Sequence, residues 1–265
     1  MSIDSPTRLS KGNFLYRHPE FYELMYPETD EATPSMCLRM FSRFLSKPPK
    51  SILDVGSGTG RDLDVLSRTC TDCSGIDAVP ENIEYAKKIR PHLNLQVEDM
   101  RTARLGRTFD VVMCMGSTLM YALTNQDVEK VLQTFVAHAH PGTLLVLDLR
   151  NASSLLDGEK FVEREKKDVN LPGLSAKVIS LHSIDHYEHL LIRRRTWHIH
   201  GQEPVEDFCE YRFFYPTELE HLLGEKGFRI VGMYDNKELK DTDLSGPRLY
   251  IAATFDPQNT STNTA

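Results

Sequence analysis

Tryptophan occurs once and cysteine five times in 265 residues. Cysteines so few and odd in number (Cys37, Cys70, Cys73, Cys114 and Cys209) exclude a disulfide framework as the source of stability. Cys70-Thr-Asp-Cys73 has the spacing of a thiolate pair, but a structural zinc site needs a second pair and none follows. No metal is expected. Long apolar runs are also lacking: Val111–Met115 and Leu144–Leu147 fall far short of the ~20 residues that span a bilayer. Positive charge is in deficit, with 31 Lys and Arg against 38 Asp and Glu and a net charge of -7. That balance repels a phosphate backbone and argues against nucleic acid as a partner. Residues 1–11 contain none of the apolar stretch of an export leader, so a cytoplasmic protein is expected. With 40% hydrophobic residues and a mean hydropathy of -0.38, the chain reads as globular rather than disordered.

What is present is periodicity. Residues 14–26 and 33–45 have helical spacing, with Thr33 as an N-cap and Pro34 in the first turn, so the chain opens with two helical pieces. Ser51–Val55 reads as a strand buried on both faces. Helices over 62–68, 80–89 and 125–138 then alternate with strands over 73–77, 93–98, 109–115 and 143–149, the pattern of a mostly parallel α/β sheet with helices on both faces. After Arg150 the texture changes. Residues 174–186, 189–201 and 205–214 are rich in β-branched and aromatic residues and read as antiparallel strands. A helix over 217–226, stopped by Gly227, and strands over 228–234 and 247–255 follow. The expected organisation is an N-terminal helical lid (1–47), a core (48–150 and 215–256), an antiparallel insertion capping the acceptor (151–214) and a disordered polar tail (257–265).

The first strand runs directly into Leu53-Asp54-Val55-Gly56-Ser57-Gly58-Thr59-Gly60, a turn whose glycines let a ligand approach the backbone closely. A dinucleotide fingerprint needs G-x-G-x-x-G, and its third glycine falls on Arg61. A P-loop would continue with Gly-Lys-Ser/Thr, which is absent. The segment resembles motif I of class I S-adenosylmethionine-dependent methyltransferases, whose Rossmann-like core is a seven-stranded sheet. That resemblance implies S-adenosylmethionine as cofactor and S-adenosylhomocysteine as product. Asp77, ending Gly75-Ile76-Asp77, matches the acid that holds the ribose hydroxyls. Asp99 in Glu98-Asp99-Met100 matches the acceptor of the adenine amino group, with the Met100 backbone beside the ring. Gly56, Gly58 and Gly60 then lie along the methionine part, and Tyr16, Asp54, Ser57, Ala78, Cys114 and Met115 complete the expected cofactor contacts.

Signals for the acceptor are weaker. Nucleobase amino-methylation calls for an Asn- or Asp-Pro-Pro-Tyr segment after the fourth strand, where this chain has Cys114-Met115-Gly116-Ser117-Thr118-Leu119-Met120-Tyr121. Magnesium-assisted catechol methylation needs clustered carboxylates, and only Asp148, with Asn151, lies near the right strand end. The chain is similar to small-molecule N-methyltransferases acting on amino sugars and other natural products, and more distantly to glycine N-methyltransferase. The likeness rests on Phe21-Tyr22-Glu23-Leu24 with Tyr26, on the insertion after the fifth strand, and on Cys114-Met115-Gly116-Ser117-Thr118. Tyr121 stands where the amino-sugar enzymes have a histidine, and Ser245-Gly246-Pro247-Arg248-Leu249-Tyr250 offers Arg248 as a shifted counterpart of their acceptor-facing arginine. Tyr22, Tyr26, Tyr121 and Arg248 are therefore the expected lid and acceptor contacts. Tyr16, Tyr22 and Tyr26 fit a closing lid or plain packing. His198 and His200 share a strand face, and Arg193-Arg194-Arg195 reads as a solvated rim with at most Arg194 or its neighbours turned inward. The expectation is methyl transfer to nitrogen of a small molecule; O- or C-methylation and a silent cofactor-binding regulator are the alternatives. A homodimer is a possible assembly.

Overall fold

A computed structural model describes residues 13–27, 31–156 and 161–259 of the chain. A 3-10 turn at Phe14–Arg17 leads into helices α1 (Pro19–Met25) and α2 (Ala32–Phe44). There follow β1 (Ser51–Val55), α3 (Arg61–Leu66), β2 (Asp72–Asp77), α4 (Pro80–Ile89), β3 (Asn94–Val97), β4 (Phe109–Cys114), α5 (Asn125–Ala137) and β5 (Ala139–Arg150). Then come α6 (Ala152–Leu155), β6 (Arg164–Leu171), β7 (Leu174–Asp185), β8 (Leu190–Ile199), β9 (Val205–Arg212), α7 (Pro216–Gly224), β10 (Phe228–Tyr234) and β11 (Arg248–Phe255). Seven strands form one sheet in the order β3-β2-β1-β4-β5-β11-β10. β11 alone runs opposite to the other six strands. No described helix is long and apolar enough to cross a membrane.

Strand alternation builds the two layers. In β4 and β5, Val112, Cys114, Leu145 and Leu147 face a core shared with α5 and α7, while Val111, Met113, Leu144 and Val146 face one shared with α2, α3 and α4. Both faces are covered, which is why these strands are continuously apolar. Strand order reverses between β1 and β4, so a crevice opens there at the carboxyl ends of the strands, the usual ligand position in such sheets.

Several local expectations are corrected. Residues 14–26 are not one helix: His18, preceding Pro19, takes φ -131° and ψ 66° and separates the 3-10 turn from α1. Glu31, not Thr33, occupies the N-cap of α2, with no side-chain capping bond. The insertion is a four-stranded antiparallel sheet, β6-β7-β8-β9, whose first strand escapes the hydrophobic pattern. Its sequence opens Arg164-Glu165-Lys166-Lys167-Asp168, and Val169 alone is buried, as suits an edge protected by charge. Pro257–Asn259 forms a 3-10 turn at the start of the segment expected to be disordered. Residues 1–12 and 260–265 lie outside the described residues.

The N-terminal segment is fastened to the insertion through Asp207. This buried carboxylate accepts from the Phe14 amide at 3.0 Å, from Trp197 Nε1 at 2.9 Å and from Arg195 Nη2 at 2.7 Å, while Phe14 packs on the Trp197 ring. The arginine run is thus no solvated rim. Arg193 and Arg195 turn inward, and Arg194 is the exposed one.

Candidate cofactor and acceptor site

The turn after β1 folds as it does because its glycines reach left-handed φ values: +83° at Gly56, +55° at Gly58 and +81° at Gly60. The amides of Gly56 and Ser57 both donate to the Ile76 carbonyl, which pins the loop over the end of β2. A Cβ on Gly56 would come within 2.2 Å of Thr118 Cγ2 and 2.9 Å of Thr118 Cβ, whereas one on Gly58 meets nothing within 4 Å. The two positions are therefore glycine for different reasons. Gly56→Ala is expected to destabilise the fold by ~2–4 kcal/mol through strain and overpacking. Gly58→Ala is expected to cost only about 1 kcal/mol while obstructing whatever occupies the space beside it. Denaturant titration of both variants checks the contrast, and equal losses would refute it.

Beyond this loop the crevice is lined by Asp54, Asp77, Asp99, Met115, Thr118 and Asp148, among others, and is closed on the N-terminal side by Tyr16 and Tyr22. Of the residues expected at the cofactor, Tyr16, Asp54, Gly56, Ser57, Gly58, Asp77, Ala78, Asp99, Met100 and Met115 line it. Gly60 does not: it starts α3, turned toward Leu93 and Leu95. Cys114 is fully buried in β4, and burial pushes its thiol up. Among the expected acceptor contacts, Tyr22 and Tyr121 line the crevice. Tyr26 is exposed, against the Tyr22 ring with centroids 5.1 Å apart. Arg248 is turned onto Asp148, donating from Nε at 2.7 Å and from Nη2, with a further bond to Ser117 Oγ at 3.2 Å. His198 and His200 are exposed, away from the crevice. Cys70 and Cys73 are buried free thiols. No metal-binding cluster of His, Cys, Asp or Glu occurs among the described residues.

The carboxylates differ in their surroundings. Asp77 Oδ2 accepts from the Gly58 amide and Oδ1 from the Val79 amide, each at 2.9 Å. Burial still raises its carboxyl above the ordinary range against those bonds. Asp54 is buried, its Oδ1 has no hydrogen-bond partner, and burial followed by the charges of Asp62 and Asp77 pushes it well up. Asp99 is gripped by the Arg101 fork, at 3.0 Å from Nε and 2.6 Å from Nη2. Burial would raise it, but these bonds prevail and hold it low. Arg101, two residues beyond Asp99, is a lining residue that the sequence pattern did not single out.

Three tyrosines link the lid, the core and the insertion. Tyr16 Oη and Tyr121 Oη are 2.8 Å apart, and Tyr121 donates onward to Tyr211 Oη at 3.3 Å. Burial raises all three hydroxyls, and pushes Tyr22 up to about 12, so at neutral pH they are protonated hydroxyls rather than bases. Glu23 ties α1 to the glycine loop, accepting from Arg90 Nη1 at 3.2 Å and Nη2 at 3.1 Å and from the Thr59 hydroxyl. Neither Tyr211 nor the Glu23–Arg90 pair was legible as part of the site, because residues so distant in sequence meet only after folding.

Comparison with known proteins gives this geometry a family. One similar curated protein is a dTDP-3-amino-3,4,6-trideoxy-alpha-D-glucopyranose N,N-dimethyltransferase of Streptomyces venezuelae, 29% identical over 49% of this chain and 56% of that protein. The match thus spans little more than half of that relative's length. A glycine/sarcosine N-methyltransferase of Parasynechococcus marenigrum is 26% identical over 76% of this chain and 70% of that protein. The crystal structure of DesVI from Streptomyces venezuelae superposes with a TM-score of 0.72 at 22% identity, covering 90% of this chain and 98% of that one. The family model described as a methyltransferase domain matches residues 30–232, from α2 through the glycine loop and the insertion into β10, and the chain belongs to that family.

Proposed function

We propose that this protein transfers the methyl group of S-adenosylmethionine to a nitrogen of a small-molecule acceptor. The observation that carries the reading is Asp54: a buried carboxylate beside the glycine loop, one oxygen without a partner, in a crevice lined by more acidic than basic side chains. Such a site asks for a cationic ligand that can donate hydrogen bonds. S-adenosylmethionine, with its ammonium and sulfonium groups, fits that demand. Asp54 and the glycine loop would hold the amino-acid end, Asp77 would accept from the ribose hydroxyls, and Asp99 would accept from the adenine amino group. The cofactor supplies an electrophilic methyl group open to in-line displacement.

What remains for the protein is positioning and exclusion of water. Tyr16 and Tyr22 from the N-terminal segment and Tyr121 from the turn after β4 present neutral hydroxyls to the space beside the loop. They can accept an N–H from an amine acceptor and aim its lone pair, and an unprotonated amine needs no base to attack. The N-terminal segment and the insertion act as lid and acceptor cap. The curated relatives named above are all N-methyltransferases by name, which supports nitrogen as the target.

The test is calorimetric titration with S-adenosylmethionine, S-adenosylhomocysteine and NAD, followed by an amine-led acceptor screen with NMR assignment of the new methyl group. Micromolar binding of the first two, no binding of NAD, and an N-methyl product are expected. An O- or C-methyl product, or preference for NAD, would overturn the reading.

A further inference from the structure

The N-terminal segment runs along the crevice between two anchors of different kinds. At its start, Phe14 and Leu15 are buried against Val178 and Trp197 of the insertion, Asp207 takes the Phe14 amide at 3.0 Å, and Arg195 Nη2 donates to Asn13 Oδ1 at 2.8 Å. Between the anchors, Tyr16 and Tyr22 line the crevice. Beyond the break at His18 the packing thins: Pro19 is the one buried residue of α1, and Leu24 and the following Tyr26 are exposed. The apolar side of α1 (Phe21, Tyr22 and Met25) rests on the insertion, so what fastens it to the glycine loop is polar. Glu23 accepts from Arg90 Nη1 at 3.2 Å, from Arg90 Nη2 at 3.1 Å and from the Thr59 hydroxyl, and Arg90 Nη1 also donates to the Thr59 carbonyl at 3.2 Å. Arg61 adds a bond to the Tyr26 carbonyl. The Glu23 and Arg90 side chains are only 16% and 7% exposed. A pair so withdrawn from water adds little net stability, because desolvation offsets the attraction, yet it specifies one arrangement of the elements it joins.

We infer that Glu23 and Arg90 form a latch that sets how fast the cofactor enters and leaves, by fastening α1 over the glycine loop. The inference rests on the S-adenosylmethionine reading and adds the control of exchange at that site. Opening at the Phe14 end would expose buried aromatic surface and strip a donor from the buried Asp207 carboxylate, so that end stays seated. Opening at the Glu23 end separates one ion pair and lets α1 swing about His18. Thr59, held at its hydroxyl by Glu23 and at its carbonyl by Arg90, stands between Gly58 and Gly60 and lines the crevice, so the lid and the loop loosen together. Glu23 and Arg90 do not line the crevice themselves. A contact with no differential affinity for the ligand cannot shift a binding equilibrium, so the latch changes entry and exit in the same proportion.

The experiment measures association and dissociation rates of S-adenosylhomocysteine on the full chain, the latter by chasing radiolabelled ligand with unlabelled. It compares wild type with Glu23→Gln, with Arg90→Met, which reaches the same latch from its other side, and with Glu20→Gln, an exposed position on the same helix. Both rates are expected to rise about tenfold in Glu23→Gln and in Arg90→Met, through loss of charge-assisted bonds, while the dissociation constant stays within about threefold of wild type. Glu20→Gln should match wild type. Added salt, which favours the separated charges, should speed dissociation from wild type and lose that effect in Glu23→Gln. Unchanged rates in Glu23→Gln would overturn the latch, even if the melting temperature falls. Faster dissociation with unchanged association would also overturn it, since Glu23 would then shape the occupied site rather than control access to it. Failure of wild type to bind S-adenosylhomocysteine would instead count against the cofactor reading, which separates the two failures.

Discussion

Replacing Asp77 by asparagine is expected to weaken S-adenosylmethionine binding about a hundredfold while leaving the protein folded. The carboxylate does two tasks from one position. Inward, its two oxygens take the Gly58 and Val79 amides at 2.9 Å and so set the shape of the loop. Outward, it lines the crevice and can accept both ribose hydroxyls. An asparagine keeps one acceptor oxygen, so one amide or one hydroxyl loses its partner and the remaining bonds lose charge assistance. Charge-assisted bonds contribute roughly 1.5–3 kcal/mol each, and about 2.8 kcal/mol corresponds to a factor of a hundred. Because burial raises the Asp77 carboxyl, neutralising it relieves a desolvation cost that partly offsets the lost amide bond, and the melting temperature should move little. Calorimetry and thermal denaturation of Asp77→Asn check both halves. Wild-type affinity would remove Asp77 from the site, and an unfolded variant would make its role purely structural.

Which parts of this molecule were legible in the sequence follows from how local their causes are. The glycine loop, Asp77 and Asp99 could be placed because each follows directly on a strand whose apolar run is itself a signal, and strand ends in such sheets are where ligands bind. β6 was hidden because an edge strand is selected for charge rather than for buried faces. Arg248 was placed near the acceptor by its position after a Ser-Gly pair, yet the antiparallel register of β11 sets it opposite Arg150 and brings it onto Asp148, a carboxylate one hundred residues away in the chain. Tyr211 and Arg193 carried no motif, since their meaning arises only when the insertion folds its inner face toward Tyr121.

Asp54→Asn is expected to raise stability and lower cofactor affinity together. In the folded protein without ligand, burial and the charges of Asp62 and Asp77 disfavour the ionised form, so the Asp54 carboxyl titrates well above its unfolded value. The sign follows from linkage: a raised acid subtracts stability as pH climbs past the unfolded pKa, and the loss grows until the native pKa is passed. At neutral pH the protein therefore carries a penalty that falls away on acidification. An amide of the same shape removes the charge, and relief of a buried, incompletely bonded group amounts to about 1–2 kcal/mol. At roughly 2–4 °C per kcal/mol for a chain of this size, the melting temperature should rise by a few degrees. The cofactor's cation, by contrast, stabilises the ionised form, so its binding should release a proton from wild type wherever Asp54 is partly protonated. The observed binding enthalpy should then vary with the ionisation enthalpy of the buffer in wild type and lose that dependence in Asp54→Asn, alongside a tenfold or greater loss of affinity. A variant that melts lower than wild type would show that Asp54 is paid for within the fold itself; one that melts higher and binds as well as wild type would assign the orphaned oxygen to some other ligand.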